Sequence, residues 1–175
     1  MRTFLLVAFV VFFNLLTLPL FAAPSDPNIA REATGNGLYN QAGANSCLYC
    51  HGAGGENGNV KEAANLKNPK TWKIYKILGG DAAFAKDKDA FRSKMKEATT
   101  HLILKGAIAH NSSFKKDWFD LSKAGAPYNG QMMGMTAAPS QAWAKKYKAK
   151  YGLKPEVASE SAYLYIKSLS GSDVL

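Results

Sequence analysis

Apolar residues in this chain recur at helical spacing. The clearest stripe is Ala158, Ala162, Tyr165, Ile166 and Leu169, at offsets 0, 4, 7, 8 and 11. It predicts a final helix opening at Pro155, a residue suited to the first helical position. Phe84, Phe91 and Met95, seven and four apart, predict a helix over about 82–97. Leu102, Ile103 and Leu104 mark a short helix over 99–105, stopped by Gly106. Asn68-Pro69 opens a helix that carries Trp72, Ile74, Tyr75 and Leu78 and ends at Gly79-Gly80. A weaker pattern (Ala30, Ala33, Leu38, Tyr39) predicts a helix from Pro27 to about Gln41, with Asp26 as a candidate N-cap and glycines that lower its propensity. Further helices are predicted over 117–123 and 140–151, separated by a loop at 125–130. No stretch alternates in the manner of a half-buried strand, and no repeat is present. The pattern predicts an all-α fold.

The first residues stand apart. Arg2 precedes a long apolar run, and Ala22-Ala23-Pro24 follows it. A basic start, an apolar stretch and small residues read as a secretory leader over 1–23, leaving a domain over 24–175. The alternative is an uncleaved membrane anchor, which Asn14, Thr17 and Pro19 weaken. Export places the mature chain in the periplasm.

Of the 175 residues, two are cysteines, and both lie in Cys47-Leu48-Tyr49-Cys50-His51. C-x-x-C-H is the attachment signature of c-type haem. Two thiols with two residues between them can add to the two vinyl groups of one porphyrin, and the adjacent histidine can ligate its iron. A thioredoxin-like pair is the first alternative, but it wants a βαβ setting that this chain lacks. A zinc site wants four ligands, and there is no second cysteine pair. A disulfide is the third alternative. With both cysteines in the motif, no disulfide staples the fold, and the apo-chain is expected to fold poorly. Four glycines between His51 and Gly58 predict an irregular loop able to run beside a porphyrin edge. Trp72 is a candidate donor to a haem propionate, or simply a core residue.

A haem that only passes electrons needs its iron closed on both faces. Met132, Met133 and Met135 lie in a segment after a glycine-rich bend. Methionine is soft and neutral and raises the potential relative to a second histidine. Met135 is the first choice, with Met132 or Met133 second. His101 and His110 are the other candidates; His101 lies in a helical, apolar context, and His110 in a polar stretch expected to be exposed. Copper(I) binding by the methionines lacks a nearby His or Cys to support it.

Formal charge is +9. Lys67, Lys70, Lys73 and Lys76 recur every third residue, and Lys145, Lys146, Lys148 and Lys150 form a second cluster. The plain reading is a solvated helix face; the functional one is a docking surface for an acidic redox partner. Nucleic acid is a poor fit for an exported haem protein.

Together these features resemble the class I c-type cytochromes. Gly35 and Tyr39 resemble the family's Gly and aromatic pair where the first and last helices cross. Met135-Thr136-Ala137-Ala138-Pro139-Ser140 is similar to its ligand loop, and Pro155 to Leu169 to its closing helix. The resemblance covers both ends of the mature chain and little of the middle. It implies a helical bundle around one covalently bound haem c, held by Cys47 and Cys50 with His51 as proximal ligand. It further implies a periplasmic single-electron carrier rather than an enzyme. Three departures stand out. Thr136 replaces a proline. About twenty residues separate Met135 from the last helix, implying an inserted helical and loop segment. Ala64-Asn65-Leu66 occupies the place of a Gly-Pro whose carbonyl orients the histidine. The alternatives are the cytochrome subunit of a periplasmic oxidoreductase, such as a sulfur-compound dehydrogenase, and an open-site haem enzyme or sensor. The cytochromes c′ carry their motif near the C-terminus and fit poorly.

Overall fold

The computed structural model describes residues 27–42, 46–120, 132, 134–136, 150 and 152–175. The predicted leader and the Asp26 cap, Met133, residues 121–123 of the predicted 117–123 helix, the predicted loop at 125–130 and all but Lys150 of the predicted 140–151 helix lie outside the described residues. Among those described, all regular structure is helical: α1 (Pro27–Tyr39), α2 (Cys47–His51), a 3-10 turn (Pro69–Thr71), α3 (Lys73–Ile77), α4 (Gly80–Lys86), α5 (Lys88–Lys105), α6 (Ala107–Ser113) and α7 (Pro155–Ser170). An all-α fold is therefore observed. No described helix is long and apolar enough to cross a membrane.

The frame is the crossing of α1 over α7, with α5 packed on α7 from a second side. Gly35 lies at the crossing, and a Cβ built there would fall inside the van der Waals shell of the Ser161 carbonyl. Only glycine lets the two backbones approach this closely. One turn on, Tyr39 is fully buried and packs its ring on Tyr165, 5.3 Å away and tilted by 57°. The exposed Ala30 and Ala33 add nothing to this face. The weak apolar pattern of α1 thus reflects a helix held by close backbone approach at Gly35 and by Leu38 and Tyr39 rather than by a wide stripe.

Two predicted helices are broken in the structure and two are fused. The helix expected from Asn68 to Gly79 stops at Trp72, whose backbone is extended (φ −69°, ψ 147°) and caps α3. Its indole N–H donates to the Asn65 carbonyl at 2.7 Å, so the ring is drawn back toward the preceding loop. The helix expected over 82–97 begins earlier and breaks at Asp87, whose carboxylate accepts from the Ala90 N–H at 3.0 Å. Aspartate competes with helical bonding in this way and favours caps over helix interiors. Beyond it α5 runs unbroken through the separate helix expected at 99–105, since neither Gly nor Pro intervenes before Gly106. In place of a helix from 117, Lys116 and Phe119 close a tight turn, with Phe119 N–H donating to the Lys116 carbonyl at 2.8 Å. That turn swings Trp118 and Phe119 onto Phe114.

A single core joins these pieces. Phe91 meets Phe84 and Tyr75 edge-on at 5.5 and 5.2 Å. Met95, one turn further along α5, is fully buried, as the spacing predicts. Val174 and Leu175 are also buried, and Arg92 holds the nearby Asp173 carbonyl at 2.7 Å.

Substituting Gly35→Ala should separate α1 from α7 and cost about 1–3 kcal/mol, the usual range for overpacking. Urea denaturation checks it. Gly171→Ala is the control: it lies at φ 58° with open space around its Cβ position, so it pays only left-handed strain of about 1 kcal/mol.

Candidate functional site

The motif residues form one short helix, α2, and its ends are tied off from several directions. Ser46 is the N-cap, its hydroxyl accepting from the Tyr49 N–H at 3.1 Å. At the other end the Gly52 N–H donates to Leu48 O at 2.9 Å. The Tyr49 carbonyl accepts from both the backbone and the side-chain amide of Asn59, at 2.8 and 3.1 Å. The Tyr39 hydroxyl donates to the Gly52 carbonyl at 2.7 Å. Through Tyr39, the α1–α7 crossing reaches the residue after His51.

Both cysteines are free thiols, half-buried. Burial first, then the neighbouring Cys50, pushes the Cys47 thiol up to about 11, and burial raises Cys50 as well. A disulfide exchanger works through a thiolate of lowered pKa. Neutral thiols on a helix in an all-helical setting do not fit that chemistry.

His51 Nδ1 lies 2.8 Å from the Ala64 carbonyl oxygen. A carbonyl can only accept, so Nδ1 carries the proton and Nε2 keeps its lone pair for a metal. Burial lowers the imidazole pKa despite this bond, which favours the neutral, ligating form. The segment that presents Ala64 is itself fixed: Leu66 N–H donates to Gly55 O at 2.7 Å, and Asn65 O takes the Trp72 indole. That bond occupies the Trp72 N–H, in place of the propionate considered for it.

The methionine segment lies against the corner between α5 and α6. Ala107 N–H donates to Met132 O at 2.8 Å, Met135 N–H to Ile103 O at 3.0 Å and Thr136 N–H to Leu104 O at 3.0 Å. The Thr136 hydroxyl donates to the same Leu104 carbonyl at 2.9 Å. A Cβ on Gly134 would overlap the Lys105–Gly106 backbone, so the strand of chain lies flat on the corner. Met135 is 5 % exposed and belongs to the common core with Leu38, Leu66 and Trp72; Met132 is half-buried against it. Thr136, where a proline would be usual in the resemblance, supplies two of the four ties.

The two remaining histidines are engaged with each other. Their Nδ1 atoms are 2.9 Å apart. His110, expected to be exposed, is completely buried, stacked on Phe114 at 4.8 Å and edge-on to Phe119 at 5.3 Å. Ser112 and Ser113 beside it are exposed, while Asn111 is half-buried, on a helix whose inner side closes on the aromatic turn. Burial, then its partner His101, lowers His110 to about 4; burial and Lys105 lower His101.

No protein-family model matches the chain, and neither curated proteins nor solved structures give a match.

A porphyrin brings four of its iron's ligands, so the protein needs to supply two thiols and one or two axial donors. Cys47, Cys50 and His51 on one anchored turn, with the imidazole tautomer set, fit that requirement. The sequence pointed to the Ala64–Leu66 stretch and to Tyr39 but not to which carbonyl holds His51, to the Tyr39–Gly52 bond or to Asn59, because these contacts involve main-chain carbonyls whose partners are fixed only by the fold.

The histidine pair sets a pH dependence. Both rings have folded-state values below the ordinary 6.5, so the unfolded chain binds more protons between those values, and stability rises with pH there. The unfolding free energy from urea denaturation should be level near pH 7.5 and fall as pH drops from 6.5 toward 4, by at most about 1.4 kcal/mol per pH unit per ring, with His51, also lowered by burial, adding to the slope wherever its Nε2 is unligated. His110→Phe should flatten part of this slope.

Proposed function

We propose that this chain is an exported monohaem c-type cytochrome of the class I type that carries single electrons between periplasmic partners. The observation that carries the reading is the His51 arrangement: an imidazole directly after two neutral free thiols, its Nδ1–H held by Ala64 O at 2.8 Å and its Nε2 left to ligate iron. Cys47 and Cys50 would hold the group covalently, and His51 and Met135 would close the iron's two faces. The bound group supplies an iron centre that changes by one electron.

The chain's own contribution is rigidity. Ser46, Asn59 and Tyr39 hold both ends of α2, so the histidine cannot swing when the charge on a neighbouring metal changes. The Met135 backbone is pinned to α5, which limits the thioether in the same way. A site that moves little between two oxidation states transfers electrons with a low reorganisation cost.

The basic face suits an acidic partner. Lys67 pairs with Glu56 at 2.8 Å and Lys70 with Asp81 at 2.7 Å, with both lysines and Asp81 exposed and Glu56 partly so. Exposed pairs of this kind contribute about 0.2–1 kcal/mol. A partner's carboxylates can therefore exchange into them at little cost. In the second cluster, Lys145, Lys146 and Lys148 lie outside the described residues; Lys150 is exposed.

A second reading, the electron-accepting subunit of a larger periplasmic oxidoreductase, draws on α6 and the aromatic turn at Phe114–Phe119. A freely diffusing carrier has no need of this addition. Stoichiometric co-purification of a partner would favour it.

Absorption spectra of the matured protein test the proposal. A c-type reduced spectrum that survives acid–acetone extraction, with a weak far-red band when oxidised, is the expected result. Cys47→Ala together with Cys50→Ala should abolish covalent retention. Met135→Ala should remove the far-red band and lower the potential. An unchanged spectrum there, with a change in Met132→Ala or Met133→Ala, moves the ligand to that residue. A spectrum without haem overturns the proposal.

A further inference from the structure

The buried histidine pair stands at the same corner that holds the methionine segment. α5 and α6 meet at Gly106. His101 lies one half-turn before the Ile103 carbonyl, and His110 one turn after the Ala107 N–H, the two groups that tie down Met135 and Met132. The Nδ1···Nδ1 contact at 2.9 Å is a side-chain hydrogen bond across the corner. His110 is boxed by Phe114 and Phe119, with Trp118 edge-on to both. His101 instead lines a cleft of about 400 Å³ between α5, the turn after α6 and α7.

We propose that the His101–His110 hydrogen bond is a proton-operated latch: it holds the α5–α6 corner, and with it the segment bearing Met132 and Met135, and it opens when both rings are protonated.

The proton count follows from imidazole chemistry. In the neutral pair one ring donates through Nδ1–H and the other accepts at Nδ1. The first added proton goes to Nε2 of the donating ring and leaves the contact intact, as a stronger, charge-assisted bond. The second must occupy the accepting Nδ1. Two N–H groups on two cations then face each other, and the contact has no acceptor left. His101, facing the cleft, is the ring placed to take the first proton. His110, in its apolar box, is the ring that resists the second.

Other charges around the pair are close to balanced. Glu97 and Lys105 face it from α5, Lys115 and Lys116 from the turn after α6, and Glu156 and Glu160 from α7. Glu97 is paired with Lys116 at 2.6 Å, and Glu160 with Arg31 and Lys96 at 3.4 and 3.8 Å. No titratable group faces it from the described residues of the methionine segment. Burial and the second proton therefore decide when the latch opens.

Amide hydrogen exchange in the matured full-length protein tests this, read at Ala107, Met135 and Thr136 from pH 7 to 3.5. Rates are corrected for intrinsic exchange, and the ring ¹⁵N shifts of both histidines are followed in the same samples. Protection of the three amides should hold while one ring is charged and fall at least tenfold as the second titrates. His101→Asn should show no such step, because its amide can flip to donate to neutral His110 or accept from charged His110. His110→Phe fills the box without titrating and should show low protection at every pH, again without a step. Unchanged wild-type protection when both rings are charged overturns the latch, as does the same step in His101→Asn. The amides report without reference to iron. The consequence for ligation rests on the cytochrome reading: the far-red band should vanish at the same step. A protein with no such band at any pH counts against that reading and leaves the amide result standing.

Discussion

The tie between the helix crossing and the candidate site depends on the missing side chain at Gly35. The close approach of α1 to Ser161 brings Tyr39 down onto Tyr165 one turn later. From there its hydroxyl reaches the Gly52 carbonyl, the first residue beyond His51. Widening the crossing would move the phenol off that carbonyl before it disturbed α2 itself. Burial raises the Tyr39 pKa far above the ordinary phenol, so the hydroxyl stays a donor across the physiological range. A packing constraint between the two ends of the chain thus becomes a positional constraint on one imidazole.

Three kinds of bond fix that imidazole, and they differ in what they cost. The Ser46 cap and Asn59 amide satisfy main-chain groups that a five-residue helix would otherwise leave exposed, each worth about 1 kcal/mol. The Ala64 carbonyl chooses the tautomer, which a cap cannot do. Helix α2 is too short to persist alone. Its geometry is imposed by the loop that returns through Asn59 and Ala64, and by Tyr39.

The parts of this design legible in the sequence are those with local signatures. Pro155 and the stripe behind it marked α7, the Phe84–Phe91–Met95 spacing marked the buried face of α4 and α5, and Cys47 to His51 marked the candidate site. Helix limits failed where a side chain reached elsewhere: Trp72 back to Asn65, and Asp87 forward to Ala90. Neither bond has a periodicity to betray it. His110 was misplaced for a related reason. Its neighbours Asn111, Ser112 and Ser113 are polar, yet a helical residue can face inward while Ser112 and Ser113 beyond it face water. Its burial depends on Phe114, Trp118 and Phe119 closing over it, which they do because the chain turns at Lys116 instead of continuing as helix.

The same turn explains why the methionine segment can be held at all. A segment of Gly, Met and Thr has little intrinsic preference for one conformation, and ordering each residue costs about 1–2 kcal/mol of backbone entropy. Offsetting that cost requires partners already in place. The last turn of a helix supplies them, since its terminal carbonyls have no intrahelical donor. Ile103 and Leu104, at the end of α5, offer their carbonyls to Met135 and Thr136. On the proposed latch, the aromatic turn and the histidine pair keep α6 folded back across Gly106 beside those carbonyls. On the proposed reading, then, the region between the haem motif and the closing helix, which resembles the cytochrome family least, meets the family's most exacting requirement. It presents the second axial ligand from a corner built of helix ends rather than from a proline-stiffened loop.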